Sequence, residues 1–190
     1  MRPNKGLHGQ VGEVVGWGGS VQSVDTKTLG TLFYQQNFPA MLGWIKNSMR
    51  LELRVGLRIV EGDQHKNPMW IEWTGSIPNI GTREFKDKRV VINATRNVLN
   101  SPFEWIVAGF AHELAHVVLF SLNHPLQEDE KAVDLTAMIL GYDKFIATAH
   151  RTTKEAAGFM ATRQKTEWIG YLTISERRFA SAYLRYLRRR

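Results

Sequence analysis

Residues 101–125 read SPFEWIVAGFAHELAHVVLFSLNHP. The first four residues predict a helix start. Ser101 suits the cap, Pro102 the first helical position, and Glu104 three residues after the Ser completes a capping box. Ile106, Val107, Phe110, Leu114, Val117, Val118 and Phe120 supply apolar packing over the turns that follow. The helix is expected to run to about Leu122 and to stop at Asn123-His124-Pro125. Inside it lies His112-Glu113-Leu114-Ala115-His116, an H-E-x-x-H pattern. Histidines at i and i+4 lie one above the other on one helix face, so their ring nitrogens can grip a single metal ion. The Glu beside the first His reaches the place where water on that ion would sit, and its carboxylate can take the water's proton. Two His and a Glu are costly to bury in so apolar a helix unless they are used. The alternative is a pair of core histidines satisfied by hydrogen bonds.

Working outward, a catalytic zinc site needs a third protein ligand and an open fourth position. The chain contains no Cys, so that ligand must be His, Asp or Glu. A second helix is expected from about Gln127 to Gly141, antiparallel to the first. Glu130 and Asp134 share one face of it and return alongside His116. Glu130 is the favoured ligand because its longer side chain spans the gap between helices more easily. Asp134 would then hold the second ring nitrogen of a ligating His. The roles can also be exchanged, with Asp134 ligating. Glu128 is a weaker candidate, and with Asp129 it also reads as a solvated acidic helix start. His124 reads as a turn residue at the helix end. His8, His65 and His150 have no partner spacing.

Upstream, residues 31–49 read as one helix that Pro39 starts or kinks. Three strand candidates follow at Leu51–Val60, Met69–Trp73 and Arg89–Asn93, and SIPNIGTREFKDK between the last two reads as a connection. Trp70 and Trp73 are expected in ordinary core packing. Downstream, helical patterns are expected over 143–168 and from Ser175 to the end. The domain plan is a Gly-rich arm over 1–30, a main domain over 31–176, and a basic helix end over 177–190.

The arrangement H112-E-L-A-H116 followed by E130-x-x-x-D134-x-x-A137 resembles the gluzincin branch of zinc metallopeptidases, and most nearly the compact cytoplasmic ImmA/IrrE-like group. The resemblance implies a zincin-like α+β fold, with a small central sheet, an active-site helix, an antiparallel second helix and further C-terminal helices. It implies one Zn2+ per chain held by His112, His116 and Glu130, with Glu113 as general base and Asp134 in support. It implies a hydrolase that cuts peptide bonds in a protein or peptide substrate lying along a strand. Tyr142, Tyr171 and His150 are the candidate transition-state donors near the ion.

Charge bounds the competing readings. Of the net charge of +7, six units come from the Arg residues in 177–190, leaving +1 for the first 176. This weakens the reading of the chain as a globally basic nucleic-acid coat protein. Phe179, Tyr183, Leu184 and Leu187 are expected to form an apolar stripe among Arg177, Arg178, Arg185, Arg188 and Arg189. The expected outcome is a docked helix with a solvated cationic face. The competing one is a grip on nucleic acid or an acidic partner, since Tyr183 and Tyr186 interleave the cations. This supports a second functional reading, a non-catalytic zinc-binding protein that works through its basic helix. No secretory signal is visible at the N-terminus. The most apolar stretch, Trp105–Phe120, is interrupted by His112, Glu113 and His116, so no membrane span is expected. The expectation is a soluble cytoplasmic protein.

Overall fold

A computed structural model describes residues 24–61, 67–156 and 162–188. His8, His65 and most of the Gly-rich arm lie outside them. The arm ends sooner than its composition suggests. Asp25 accepts from the backbone of Lys27 and Thr28 and caps helix α1, Thr26–Tyr34.

The single helix expected over 31–49 is two helices. Gln36 takes a left-handed φ of 53°. Asn37 then accepts from Ala40 N–H at 3.2 Å and starts α2, Phe38–Ser48, with Pro39 in its first turn. Strand β1 is Arg54–Val60, later than the alternation from Leu51 suggests. Leu51 and Leu53 are buried but precede the strand. Strand β2 is Met69–Glu72. The connection after it holds a short helix α3, Arg83–Asp87, capped by Thr82. Strand β3, Arg89–Thr95, follows.

β3 is the middle of the sheet. β1 runs parallel to it, with Val55 beside Val90 and Leu57 beside Ile92. β2 runs antiparallel, with Met69 beside Ala94 and Ile71 beside Ile92. The order β1-β3-β2 leaves β2 at an edge among the described residues. Val90, Ile92 and Ala94 alternate onto the covered face and are fully buried.

Against that face packs α4, Phe103–Ser121, which carries the H-E-x-x-H segment. It begins as expected, but not with the expected cap. A 3-10 turn over Arg96–Asn100 draws Ser101 N–H to Val98. The Ser101 hydroxyl is thereby turned inward, where it has no hydrogen-bond partner among the described residues. The Pro102 carbonyl instead accepts from Trp105 and Ile106. By length and composition α4 could cross a membrane, yet 78% of its most apolar window is buried within the protein. Its apolarity is that of a central core helix, enclosed by the sheet and by helices on both flanks.

The chain turns at Asn123, in a left-handed conformation, and His124 accepts from Leu126 N–H. Asp129 caps α5, Glu130–Ala137, three residues later than expected. A π-type turn over Met138–Tyr142 ends α5, and Gly141 at φ 104° reverses the chain. Helix α6 is only Asp143–Thr148.

The helix expected on to 168 is instead an antiparallel hairpin, β4 His150–Ala156 with β5 Thr162–Trp168. Both segments are polar and Thr-rich, so they offer no apolar period to read, and β-branched Thr favours strand over helix.

Helix α7, Ile174–Leu187, starts from a capping box between Thr173 and Glu176. Its buried face is Arg177, Ala180, Ser181 and Leu184. This corrects the expected apolar stripe, because Phe179 and Tyr183 point outward, 73% and 52% exposed. Much of the expected cationic face is also used internally. Arg188 pairs with buried Asp143 at 2.8 Å, Arg185 donates to the Ser181 carbonyl, and Arg177 is buried.

Candidate metal centre

α4 and α5 lie antiparallel, and β2 runs past the opposite flank of α4. The polar faces of α4 and α5 therefore meet over the middle of α4, opposite β2. His112 and His116 project there one turn apart, with ring centroids 5.1 Å apart and planes at 85°. From α5, one Glu130 carboxylate oxygen lies 3.1 Å from His112 Nε2 and 3.4 Å from His116 Nε2. The three donor atoms all fall within 4.8 Å of one another. Ligand atoms about 2.0–2.1 Å from a tetrahedral ion are roughly 3.3 Å apart. The two separations to Glu130 match that edge, so the donor set could hold one metal ion.

Asp134 takes a different place. Its Oδ1 lies 2.8 Å from His112 Nδ1, the nitrogen facing away from the cluster. Its Oδ2 accepts from Tyr171 N–H at 2.6 Å and Leu172 N–H at 3.0 Å. Asp134 is completely buried, and these three donors satisfy it. The far side of the His116 ring is held by the Gln127 backbone. Each His is thus oriented through its second nitrogen, as metal-ligating imidazoles usually are.

The electrostatics follow from these contacts. Burial alone would depress His112, but the Asp134 and Glu130 carboxylates on its two nitrogens overcome this and push it up to about 10. His116 falls to about 4, through burial and the positive His112 beside it. Glu130 is held below its ordinary value, mainly by its hydrogen bond from His112. Asp134 resists the upward pull of burial because His112 and two backbone N–H groups favour its charged form.

Glu113 is buried in the same cleft and does not join the donor cluster. Burial raises it to about 7, and the charge of Glu130 adds to this. Its carboxylate accepts a hydrogen bond from the backbone of Ile71, on the open edge of β2. A carboxyl tuned near neutrality can both accept and return a proton.

The cleft is a cavity of about 480 Å³. One side is polar, with His112, Glu113, His116, Glu128 and Glu130, and the other is β2 with Trp70, Trp73, Phe120 and Tyr171. Trp73 meets Phe120 edge-on at 4.9 Å. Trp70 and Trp73 are only partly buried. Both line the cleft, and Trp73 also packs against the core as expected, whereas Trp70 does not join it.

Of the three expected donors near the site, one is placed there. The Tyr171 ring stacks on His112 at 5.8 Å, half exposed at the cleft mouth. Tyr142 is not available. It is fully buried, outside the cleft, with its hydroxyl bonded to Ser48. The π-type turn after α5 rotates it into the core. His150 is exposed at the start of β4, bonded to the Thr148 carbonyl and outside the cleft.

Sequence reasoning missed the turn that presents Tyr171. Gly170 has φ 84°, and a Cβ there would lie 2.6 Å from both Asp134 carboxylate oxygens. Only Gly permits that approach. A lone Gly between Ile169 and Tyr171 was the available signal. Gly170→Ala is expected to cost at least about 1–3 kcal/mol from backbone strain alone. It should also displace Asp134 from His112. Urea unfolding of the metal-free variant measures the first effect, and an unchanged midpoint would contradict the account.

Comparison with known proteins finds no family model that matches the chain, no similar curated protein and no similar solved structure.

Proposed function

We propose that this chain is a zinc-dependent metallopeptidase, a hydrolase of the gluzincin type. The observation that carries the reading is Glu113. It is a buried carboxyl poised near neutrality, one residue from His112 and hydrogen-bonded to the open edge of β2. A metal site that only braced the fold would have no use for it.

His112, His116 and Glu130 would hold the ion, and zinc suits two imidazoles, one carboxylate and an open fourth position. When bound, it supplies Lewis acidity toward the scissile carbonyl and makes water acidic near neutral pH. Glu113 takes the proton of the attacking water and returns it to the leaving amine. β2 lies at the edge of the sheet among the described residues, where an extended peptide can pair. Tyr171, at the mouth, can donate its hydroxyl proton to the developing oxyanion. Burial and three nearby carboxylates raise its pKa, so it keeps that proton.

Metal analysis tests the centre. The purified chain should carry about one zinc, and His112→Ala should lose nearly all of it. Uptake should also depend on pH with a definite sign. Near neutrality Glu130 is ionised and His116 neutral, so only His112 must release a proton. Zinc binding should therefore release about one proton and tighten as pH rises toward 10, by up to about tenfold per unit. Calorimetry in buffers of different ionisation heat measures this, and zero proton release would contradict a charged His112. In the metal-free chain the same raised pKa stabilises the fold. That contribution is complete below the ordinary value of 6.5 and is lost as pH rises through about 10.

A second reading, a metal-holding protein without catalysis that grips nucleic acid or an acidic partner, draws on the outer face of α7. There Phe179 and Tyr183 stack in parallel at 6.2 Å beside exposed Arg178. Under that reading, salt-sensitive binding of a labelled single-stranded oligonucleotide would survive both His112→Ala and Glu113→Gln.

A further inference from the structure

The C-terminal helix reaches the metal cleft through one buried side chain. Arg177 is 1% exposed. Its Nε donates to the Leu172 carbonyl at 2.8 Å and its Nη1 to the Ile146 carbonyl at 2.8 Å. Its Nη2 donates to the Ile169 carbonyl. A guanidinium in the interior is tolerated only when its donors are met, and here three backbone carbonyls meet them from three directions.

Two of those carbonyls bracket the 169–172 turn. The N–H groups of the same turn, from Tyr171 and Leu172, point the other way, to Asp134. Asp134 in turn holds His112 Nδ1. Hydrogen bonds thus run without a break from α7 to a candidate ligand. Because Gly170 carries no side chain, the turn can approach Asp134 closely enough to complete the sequence.

We propose that Arg177 is a positioning residue of the metal centre, setting the 169–172 turn so that Asp134 and Tyr171 are held against His112. This rests on the reading of His112, His116 and Glu130 as metal ligands. The planar fork of Arg is what the role requires. A Lys in its place carries the same charge on one atom and cannot span three divergent carbonyls. On this view the first Arg of the C-terminal basic run acts inward, as part of the active centre.

A purely structural Arg177 would stabilise α7 and leave metal affinity alone, so the two quantities must be read separately. Zinc affinity is measured by chelator competition on the folded wild type, Arg177→Lys, Arg177→Gln and Leu184→Ala. Melting of the metal-free forms is followed alongside. Leu184 is buried on the same helix face about two turns further on, so its truncation loosens α7 without touching the turn. The expected result is a loss of about 10- to 100-fold in zinc affinity for the folded Arg177 variants. Leu184→Ala should melt earlier yet bind zinc as the wild type does. In the metal-free wild type the His112 Nδ1 proton should give a downfield resonance. It should broaden in Arg177→Lys and persist in Leu184→Ala. Wild-type affinity in either folded Arg177 variant overturns the proposal. Failure of the wild type to bind zinc overturns the underlying reading of the site, and the proposal with it.

Discussion

Glu113→Gln is expected to retain zinc at wild-type stoichiometry and to lose peptide cleavage by about 100- to 10,000-fold. The amide fills the same space as the carboxylate, and Glu113 is no member of the donor cluster, so the ligands are undisturbed. What disappears is a carboxyl outside the candidate donor set that burial raises to about 7, where it can exchange a proton near neutral pH. The loss should fall on kcat more than on KM, because under the proposed mechanism the carboxylate would act on water in the transition state and not on the bound peptide. Retained cleavage by the folded, zinc-loaded variant would remove Glu113 from the mechanism. Because the variant should still bind substrate along β2, it also serves as a trap. Proteins recovered with it, and cleaved by the unmodified chain, would be its substrates under the proposed function.

Asp134→Ala is expected to have the largest effect on the fold and on metal binding together. It leaves His112 Nδ1 and the Tyr171 and Leu172 N–H groups without the acceptor they share. Deleting one partner of a buried charged pair typically costs about 3–5 kcal/mol. The freed His112 ring should also lower zinc affinity by about 10- to 100-fold. Asp134→Asn should be milder in unfolding, because its amide oxygen can still accept from the turn. Its zinc affinity should remain impaired, because the negative charge that favours a correctly oriented His112 is gone. Denaturant unfolding and chelator competition measure the two effects. An Asp134→Ala chain with wild-type values for both would mean that the Asp134 contacts carry no energy.

The helix from Phe103 to Ser121 was legible because its apolar residues recur at helical spacing, and the two His and Glu113 stand out against them. The return of Glu130 and Asp134 beside them was legible for the same reason, since a turn at Asn123 leaves little choice of direction. The hairpin over 150–168 was not legible, because its strands are polar and alternate nothing hydrophobic. Nor was the inward face of α7. Phe179 and Tyr183 are the more apolar residues, yet Arg177 is the one buried. Hydropathy ranks side chains one at a time, whereas Arg177 is stabilised inside by the carbonyls of Leu172 and Ile169 in the turn before it and of Ile146 further back in the chain.

The amino-acid sequence by itself determined which residues could chelate an ion, because ligand chemistry and helical spacing are local properties. It favoured Glu130 over Asp134 only by side-chain length and left their roles exchangeable, since both sit on one helical face four residues apart. Tertiary structure separated them. The approach of α5 puts Glu130 against the outer nitrogens of both rings, while the Gly170 turn supplies two N–H groups that fix Asp134 behind His112. It likewise singled out Tyr171 from Tyr142 and His150, because proximity to the cleft depends on how the C-terminal turn folds back over it. Chemistry was written at close range along the chain; its geometry came from contacts between residues as far apart as His112 and Tyr171.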